Sequence, residues 1–457
     1  MEKHVNLAER LNLGCLCSTL QPDLLRRQID GRVDQDGGAQ ELAATRPHLF
    51  STTPVFITAE NARLIRRSVA ALYRVAALPH YAAATLERPG RTPVPDLGPQ
   101  GVFMGYDFHI SSEGPRLIEI NTNAGGALLH ACAASAHRAC CAPADDRFGV
   151  TPDLGQFDLA VLAMFQAEWR AQRGDQPLRS VAIVDDAPAT QYLAPEFELA
   201  RHLFLAAGIA AVIADPTELL WRDGQLWHAA LPPGVPVDLV YNRLTDFELS
   251  EPAHAGLRAA YAEGGAVVTP HPRAHALHAD KRNLILLSDD ALLANWGATD
   301  DDRALLQAVV PHTELVTAEN AERLWAGRRH LFFKPTAGYG SRGAFRGDKL
   351  TRRVWGDIVA GGFVAQALVA PSERLVDVAG DPTRLKLDVR AYAYRGEVLL
   401  LAARTYAGQT TNFRTAGGGF SPVVVLPVDP FIEAVSPEAI PAAAQEPACG
   451  ELEPLPG

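Results

Sequence analysis

The sequence predicts a multidomain α/β and α+β protein, and three stretches carry that prediction. From Ser180 to Ile213 a buried strand, a helix and a second strand follow in the rhythm of a parallel-sheet unit. From Lys386 to Tyr406 the chain alternates polar and apolar residues and reverses once, at Arg395-Gly396-Glu397, as an antiparallel hairpin does. From Gly105 to Asn121 another hairpin turns between Ser111 and Gly114 and ends in polar residues followed by glycines. At 457 residues the chain has room for roughly two to four domains. We place them at 1–140, a helical region with the first hairpin; 150–275, a parallel-sheet domain; 276–426, a second lobe with the remaining strands; and 427–457, a flexible tail rich in Pro, Ala and Glu.

Composition narrows the class. Apolar residues make up 47% and charged residues 21%, ordinary for a globular protein. A formal charge of −11 argues against a general nucleic-acid or acidic-membrane surface, so an anionic ligand needs a local cluster of Arg, Lys or metal. No run reaches the apolar length of a membrane span, and the start Met-Glu-Lys-His lacks the pattern of a secretory signal. Cys15, Cys17, Cys132, Cys140, Cys141 and Cys449 match no zinc spacing and read as reduced thiols of a cytoplasmic protein. The oligomeric state is left open, a homodimer being one option.

Taken in order, Asn6 to Leu13 and Pro22 to Ile29 look helical, and a loop runs through Asp34 to Gly38. Thr58 is a natural N-cap for a helix whose stripe Leu64, Ile65, Val69, Leu72, Val75, Ala76 has packing as its simplest role. In the hairpin that follows, Glu119 and Asn121 are alternate residues of one strand and face the same side. Asp107 can sit beside them on the neighbouring strand, which gives two carboxylates and an amide oxygen suited to magnesium carrying a nucleotide's phosphates. Alone, the motif is equally an ordinary hairpin with a polar end. His109 and His130 read as structural histidines.

A helix over Asp158 to Gln172 precedes the strand Ser180 to Asp186, the helix Pro195 to Ala207 closed by Gly208, and the strand Ile209 to Ile213. Val237 to Arg243 is a further strand. Pockets in such sheets open at the carboxyl ends of strands, so Asn242, Arg243 and Asp246 are substrate-site candidates, with a polar loop and a solvated Arg as the equal alternative. His278 to Leu287 reads as a helix.

Leu331-Phe332-Phe333-Lys334 is a strand that delivers a lysine to a glycine-rich turn, Gly338-Tyr339-Gly340-Ser341-Arg342-Gly343. Glycines let backbone N–H groups converge on anionic oxygens, and the lysine adds a point charge. It is not a Walker A loop, because no Gly-Lys-Ser/Thr opens a helix. Phe363 to Val369 is a strand whose backbone suits an adenine base. Lys386, Asp388 and Arg390 share one face of the next strand, Arg404 lies on its partner, and Arg414 sits in a loop ending Gly417-Gly418-Gly419. Three arginines in twenty-five residues of an acidic protein form either a solvated face or, the reading we favour, an anion-binding wall.

Together these stretches resemble the ATP-grasp superfamily in an unusual order. The hairpin with Asp107, Glu119 and Asn121 comes first, whereas ordinary members carry their Asp…Glu-x-Asn metal ligands last. That order resembles the circularly permuted branch that includes glutathionylspermidine synthetase, and it implies a circularly permuted ATP-grasp fold with a parallel-sheet (pre-ATP-grasp) domain. The resemblance implies that Lys281 and Lys334 contact ATP and that Gly338, Gly340, Ser341 and Gly343 cover its phosphates. It makes Gln366, Ala367, Leu368 and Val369 the adenine hinge, with Asp388 on the nucleotide side. Asp107, Glu119 and Asn121 become the Mg ligands, and Arg390, Arg404 and Arg414 hold an acyl-phosphate or a substrate carboxylate. Members often carry an Arg two residues before the first metal-ligand Asp, where this chain has Gly105, so another arginine must serve. No amidase half is evident. The implied activity is an ADP-forming ligase joining a small-molecule carboxylate to an amine or thiol. A small-molecule kinase on the same scaffold and a non-catalytic nucleotide-binding protein are the alternatives.

Overall fold

The computed structural model describes residues 6–32, 42, 44–88, 93–137, 153–336 and 343–427. The loop 34–38, Gly338, Gly340, Ser341, Cys140, Cys141, Cys449 and the tail from 428 onward lie outside them. In chain order the strands are β1 (Val55–Thr58), β2 (Met104–Ser111), β3 (Gly114–Asn121), β4 (Ser180–Val184), β5 (Ala210–Ala214), β6 (Leu220–Arg222) and β7 (Gln225–Trp227). Next come β8 (Leu239–Asn242), β9 (Val267–Thr269), β10 (Thr313–Leu315), β11 (Leu331–Pro335), β12 (Phe345–Arg346) and β13 (Phe363–Ala367). The last are β14 (Ser372–Val378), β15 (Asp381–Tyr394), β16 (Glu397–Tyr406) and β17 (Gly419–Leu426).

These strands form a mixed α/β architecture of three main sheets. A seven-stranded sheet runs β1-β17-β16-β15-β2-β3, with β14 also on β15. It therefore joins strands from both halves of the chain. β15 pairs with β16 along one edge, while β14 and β2 share its other edge, on either side of Asp388. The helix Ala59–Ala76 covers one face; Thr58 caps it by accepting the Asn61 N–H, and Ile65, Val69, Leu72, Val75 and Ala76 are buried. A parallel four-stranded sheet, β5-β4-β8-β9, matches the expected strand–helix–strand rhythm. The third sheet, β10-β13-β11-β12, has its own small core around Phe333, Trp355 and Ile358.

The parallel sheet is fastened to the large one through a buried carboxylate. Glu168, on the helix Leu154–Arg173, accepts hydrogen bonds from the N–H groups of Gln100 and Gly101, from Thr269 Oγ1 at the end of β9 and from Tyr394 OH at the end of β15. Within the parallel-sheet region, His254 ties together the loops that follow β4 and β8. It is fully buried, and its two ring nitrogens lie 2.8 Å from Asp246 Oδ2 and 2.9 Å from Asp186 Oδ1. Two carboxylates can only accept, so the ring donates from both nitrogens and is charged.

Some sequence expectations change. His278–Leu287 is not one helix: a π-helical turn, His275–Ala279, ends at the extended Asp280, and a short helix follows at Asn283–Leu287. The cause is local, because Asp280 accepts from both the backbone N–H and the guanidinium of Arg282 in place of helical bonding. The strand expected over Phe363–Val369 stops at Ala367. β1, β14 and β17 had no counterpart in the sequence reading. Among the described residues, no helix is long and apolar enough to cross a membrane.

Two outcomes follow. Glu168→Ala strands several buried donors and should lower unfolding stability by about 3 kcal/mol in urea titration. Burial disfavours the charged His254 ring, but its hydrogen bonds to Asp186 and Asp246 outweigh that and raise its pKa above 6.5. Its contribution is thus complete below pH 6.5 and disappears as the pH climbs through the raised value. Thermal melts from pH 6 to 9 should show a decline in the wild type that His254→Gln lacks.

Candidate active site

The cross-strand register lines up the chemistry. Glu119 on β3 stands opposite Asp107 on β2, which stands opposite Arg390 on β15, while Asp388 stands opposite Arg404 on β16. Directly opposed residues share a face. Asp107 is buried and receives Arg390 through two bonds, Nε to Oδ1 at 2.6 Å and Nη2 to Oδ2 at 2.7 Å. Arg404 Nη2 reaches Asp107 Oδ2 at 2.9 Å and donates from Nε to Asp388 Oδ1 at 2.7 Å. Thr411 Oγ1 donates to the other Asp388 oxygen at 2.6 Å, and Asn121 Nδ2 donates to Asp107 Oδ2 at 3.1 Å. Burial alone would push the Asp107 carboxyl up, but the two guanidinium groups hold it well below the usual carboxylate range.

Gly105 is explained by the same arrangement. A Cβ there would come within 2.5 Å of Ala124 Cβ and 3.4 Å of Arg390 Nε, so Ala124 takes the space a side chain would need, with Arg390 packed alongside.

On the other wall, Lys334 ends β11. A β-bulge between Asp107 and Phe108 sets β3 out of register at Ile118, and the Ile118 carbonyl accepts Lys334 Nζ at 2.6 Å. Lys334 also donates to Gln366 Oε1 on β13 at 2.8 Å, while Gln366 Nε2 is buried with no hydrogen-bond partner among the described residues. Burial pulls the Lys334 pKa down to about 8, with nearby Glu119 opposing the shift and Lys281 adding to it. Lys281 Nζ lies 3.4 Å from Glu119 Oε1.

Between the walls is a cavity of about 330 Å³, within the size range of small-ligand sites. Asp107, Glu119, Asn121, Lys281, Lys334, Gln366 to Val369, Asp388, Arg390 and Arg404 all line it. Its basic groups are Lys281, Lys334, Arg346, Lys386, Arg390 and Arg404, against the acids Asp107, Glu119 and Asp388. In a chain of net charge −11 this is a local cationic pocket, suited to a polyanion. Gly343, at the edge of the described glycine-rich turn, has φ +71°.

The donor set fits magnesium in a reduced form. Asn121 spends its amide N–H on Asp107, which leaves Oδ1 as the acceptor beside Glu119. Asp107 receives one donor on Oδ1, from Arg390, and three on Oδ2, from Arg390, Arg404 and Asn121. It therefore holds both arginines, and Oδ1 alone keeps an acceptor site for the metal contact expected of it. Among the described residues no three His, Cys, Asp or Glu side chains cluster as a metal site. Glu119 and Asn121 with phosphate oxygens and water would suffice, since Mg²⁺ usually keeps several waters and takes one or two carboxylates.

Four other expected residues lie elsewhere. Arg414 is exposed and does not line the cavity; its neighbours Phe413 and Thr411 do. Asn242 is buried, donating to Pro270 O and accepting from the Leu244 N–H. Arg243 is buried against Asn123 and Tyr241, and Asp246 is taken up by Ser250, Glu251 and His254. None of the three lines the cavity, although they were expected as substrate-site candidates, and the Arg243 Nε is buried with no hydrogen-bond partner among the described residues. Missed residues include Arg346, Lys386, Gln409, Thr410, Thr411 and His109, whose Nδ1 lies 2.9 Å from Val369 O. Lys386 was legible, because it alternates with Asp388. Thr411 carried no signal. His130 lies outside the cavity, buried against Phe420 and Tyr392.

No family profile and no curated protein matches the sequence. Solved structures do. A glutathione synthetase-like effector from Globodera pallida aligns at TM-score 0.50 and 11% identity, over 89% of this chain and 98% of its own. A putative gamma-glutamylcysteine synthetase from Methylobacillus flagellatus KT aligns at TM-score 0.42 and 12% identity, over 81% of this chain and 89% of its own. The ATP-grasp ligase PsnB, complexed with a minimal precursor, Mg and ADP, aligns at TM-score 0.29 and 15% identity, over 53% of this chain and 88% of its own. The fold is similar to that of the glutathione synthetase-like effector.

Within this fold, removing one member of the buried cluster leaves its partners uncompensated. Asp107→Asn should cost about 3–5 kcal/mol in urea unfolding, because two buried guanidinium groups lose their shared anion. Arg414→Ala should leave the same midpoint unmoved.

Proposed function

We propose that the protein is an ATP-dependent, ADP-forming ligase that joins a carboxylate to an amine or thiol through an acyl-phosphate. The observation that carries this reading is the meeting of Glu119 and Asn121, Lys281 and Lys334, and Arg390 and Arg404 around one cavity. Two lysines, an acid–amide pair and two arginines are what a nucleoside triphosphate and a second anion require together. We also read the chain as circularly permuted, because the strands that carry Glu119 and Asn121 precede both lysines yet pair with β15.

In this reading Lys334 and Lys281 donate to phosphate oxygens, and the backbone from Gln366 to Val369 frames the base. Glu119 and Asn121 would hold magnesium, which would supply charge neutralisation at the phosphates. Arg390 and Arg404 commit Nε and Nη2 to Asp107 and Asp388, so their remaining N–H groups are fixed in direction before a substrate arrives. Preorganised donors of this kind stabilise the anionic oxygens of a mixed anhydride and of the tetrahedral adduct that follows. The substrate carboxylate attacks the terminal phosphorus, ADP departs, and the amine or thiol then displaces phosphate from the acyl carbon. No nucleophilic side chain is needed.

Phosphate release across a panel of carboxylates with amines or thiols, with mass spectrometry of the product, tests the reading. Glu119→Gln and Lys334→Ala should each reduce substrate-dependent ADP formation by on the order of 100-fold. Full turnover in both variants would sink the proposal. A phosphorylated acceptor in place of an amide or thioester would make the protein a kinase on the same scaffold.

A further inference from the structure

The charged groups of the cavity are already paired with one another. Asp107 is held by Arg390 and Arg404, Asp388 by Arg404 and Thr411, and Glu119 by Lys281. A nucleotide entering with its metal cannot simply add to free charges. Some of these pairs have to exchange partners, and the geometry separates the pair that can from those that cannot.

The arginine pairs are built to stay. Their side chains are 5–11% exposed, and each is joined by charge-assisted bonds of 2.6–2.9 Å in the strand-opposed geometry of the sheet. Glu119 differs in every respect. Its side chain is 25% exposed, its partner Lys281 sits on an irregular segment after a π-helical turn, and their ion pair is 3.4 Å long. That is longer than the 2.7–2.9 Å typical of a charge-assisted hydrogen bond. Lysine is also a point charge on a flexible stem, which swings more readily than a forked guanidinium.

We propose, resting on the nucleotide reading above, that Glu119 is a two-position carboxylate. In the ligand-free protein it holds and neutralises Lys281. With the metal–nucleotide complex it turns to the cation and releases Lys281 to the phosphates. Metal-free nucleotide must break the pair and then sit beside an uncompensated carboxylate. Metal alone must displace the ammonium from the same carboxylate. Each ligand removes the obstacle the other meets, so their binding is positively and reciprocally coupled.

Fluorescence titration with a methylanthraniloyl ADP, in EDTA and in Mg²⁺, tests this. Glu119→Gln should tighten metal-free binding by about tenfold, within the usual range of coupling factors, and should shrink the difference between the two conditions. A metal-free affinity that stays the same or weakens, while the wild type binds in Mg²⁺, overturns the exchange and leaves the nucleotide site standing. Failure of the wild type to bind the probe in either condition overturns both. Lys281→Met gives an independent arm, because it frees Glu119 without touching a metal donor. Mn²⁺ alone, followed by its paramagnetic resonance signal, should bind this variant more tightly than the wild type. Unchanged Mn²⁺ affinity in a variant with wild-type melting overturns the proposal.

Discussion

Arg390, Asp107 and Arg404 form the contact on which the remainder of the structure depends. They come from three neighbouring strands, β15, β2 and β16, and all are buried or nearly so. Taking such charges out of water costs several kcal/mol per ion, and only close geometry with every acceptor site filled offsets it. That requirement fixes the strand register. Moving β2 by one residue against β15 would turn Asp107 to the opposite face, leaving Arg390 without its partner and Arg404 with Asp388 alone. Gly105 lies beside the same cluster, where Ala124 leaves no room for a side chain and Arg390 packs alongside. The cluster therefore sets both the position of the two cavity arginines and the union of the chain's two halves.

A second joint brings the small sheet to the large one. The bulge at Ile118 turns a backbone carbonyl out of the ladder, and Lys334 takes it. The ammonium thus couples the two walls before any ligand binds, and its burial keeps it less basic than an exposed lysine. Around it, the excess of cationic over acidic lining groups focuses positive potential in a molecule that is negative as a whole. An anion is drawn to one place and repelled elsewhere.

What the sequence disclosed was local. Glu119 and Asn121 could be paired, as could Asp388 and Arg390, because alternate strand residues must share a face. Thr58 could be read as a cap because its oxygen is three residues from the N–H it accepts. The partner of Asp107 was not legible, since the choice between a metal and two arginines is made by strands more than 280 residues away. Nor was the bulge at Ile118, which no residue type announces. β17 reads as a featureless apolar run because it is buried nearly throughout and so lacks alternation. Arg414 misled for the opposite reason. Its charge drew the eye, while the loop turns Phe413 and Thr411 to the cavity and leaves the arginine in solvent. Asn242, Arg243 and Asp246 stood where sheet pockets open, but buried hydrogen bonds claimed each of them.

The two-ended sheet has a consequence for how the chain is made. The four strands of the parallel sheet lie within 180–269 and have all their partners early in synthesis. β1, β2 and β3 are made first and wait longest, because their neighbours β15 and β17 are among the last strands to emerge. Until then the hairpin carries an open edge and an acid with no counter-ion, features that invite chaperones and proteases. A ribosome that stops before Arg404 releases a chain with neither a closed sheet nor a balanced cluster.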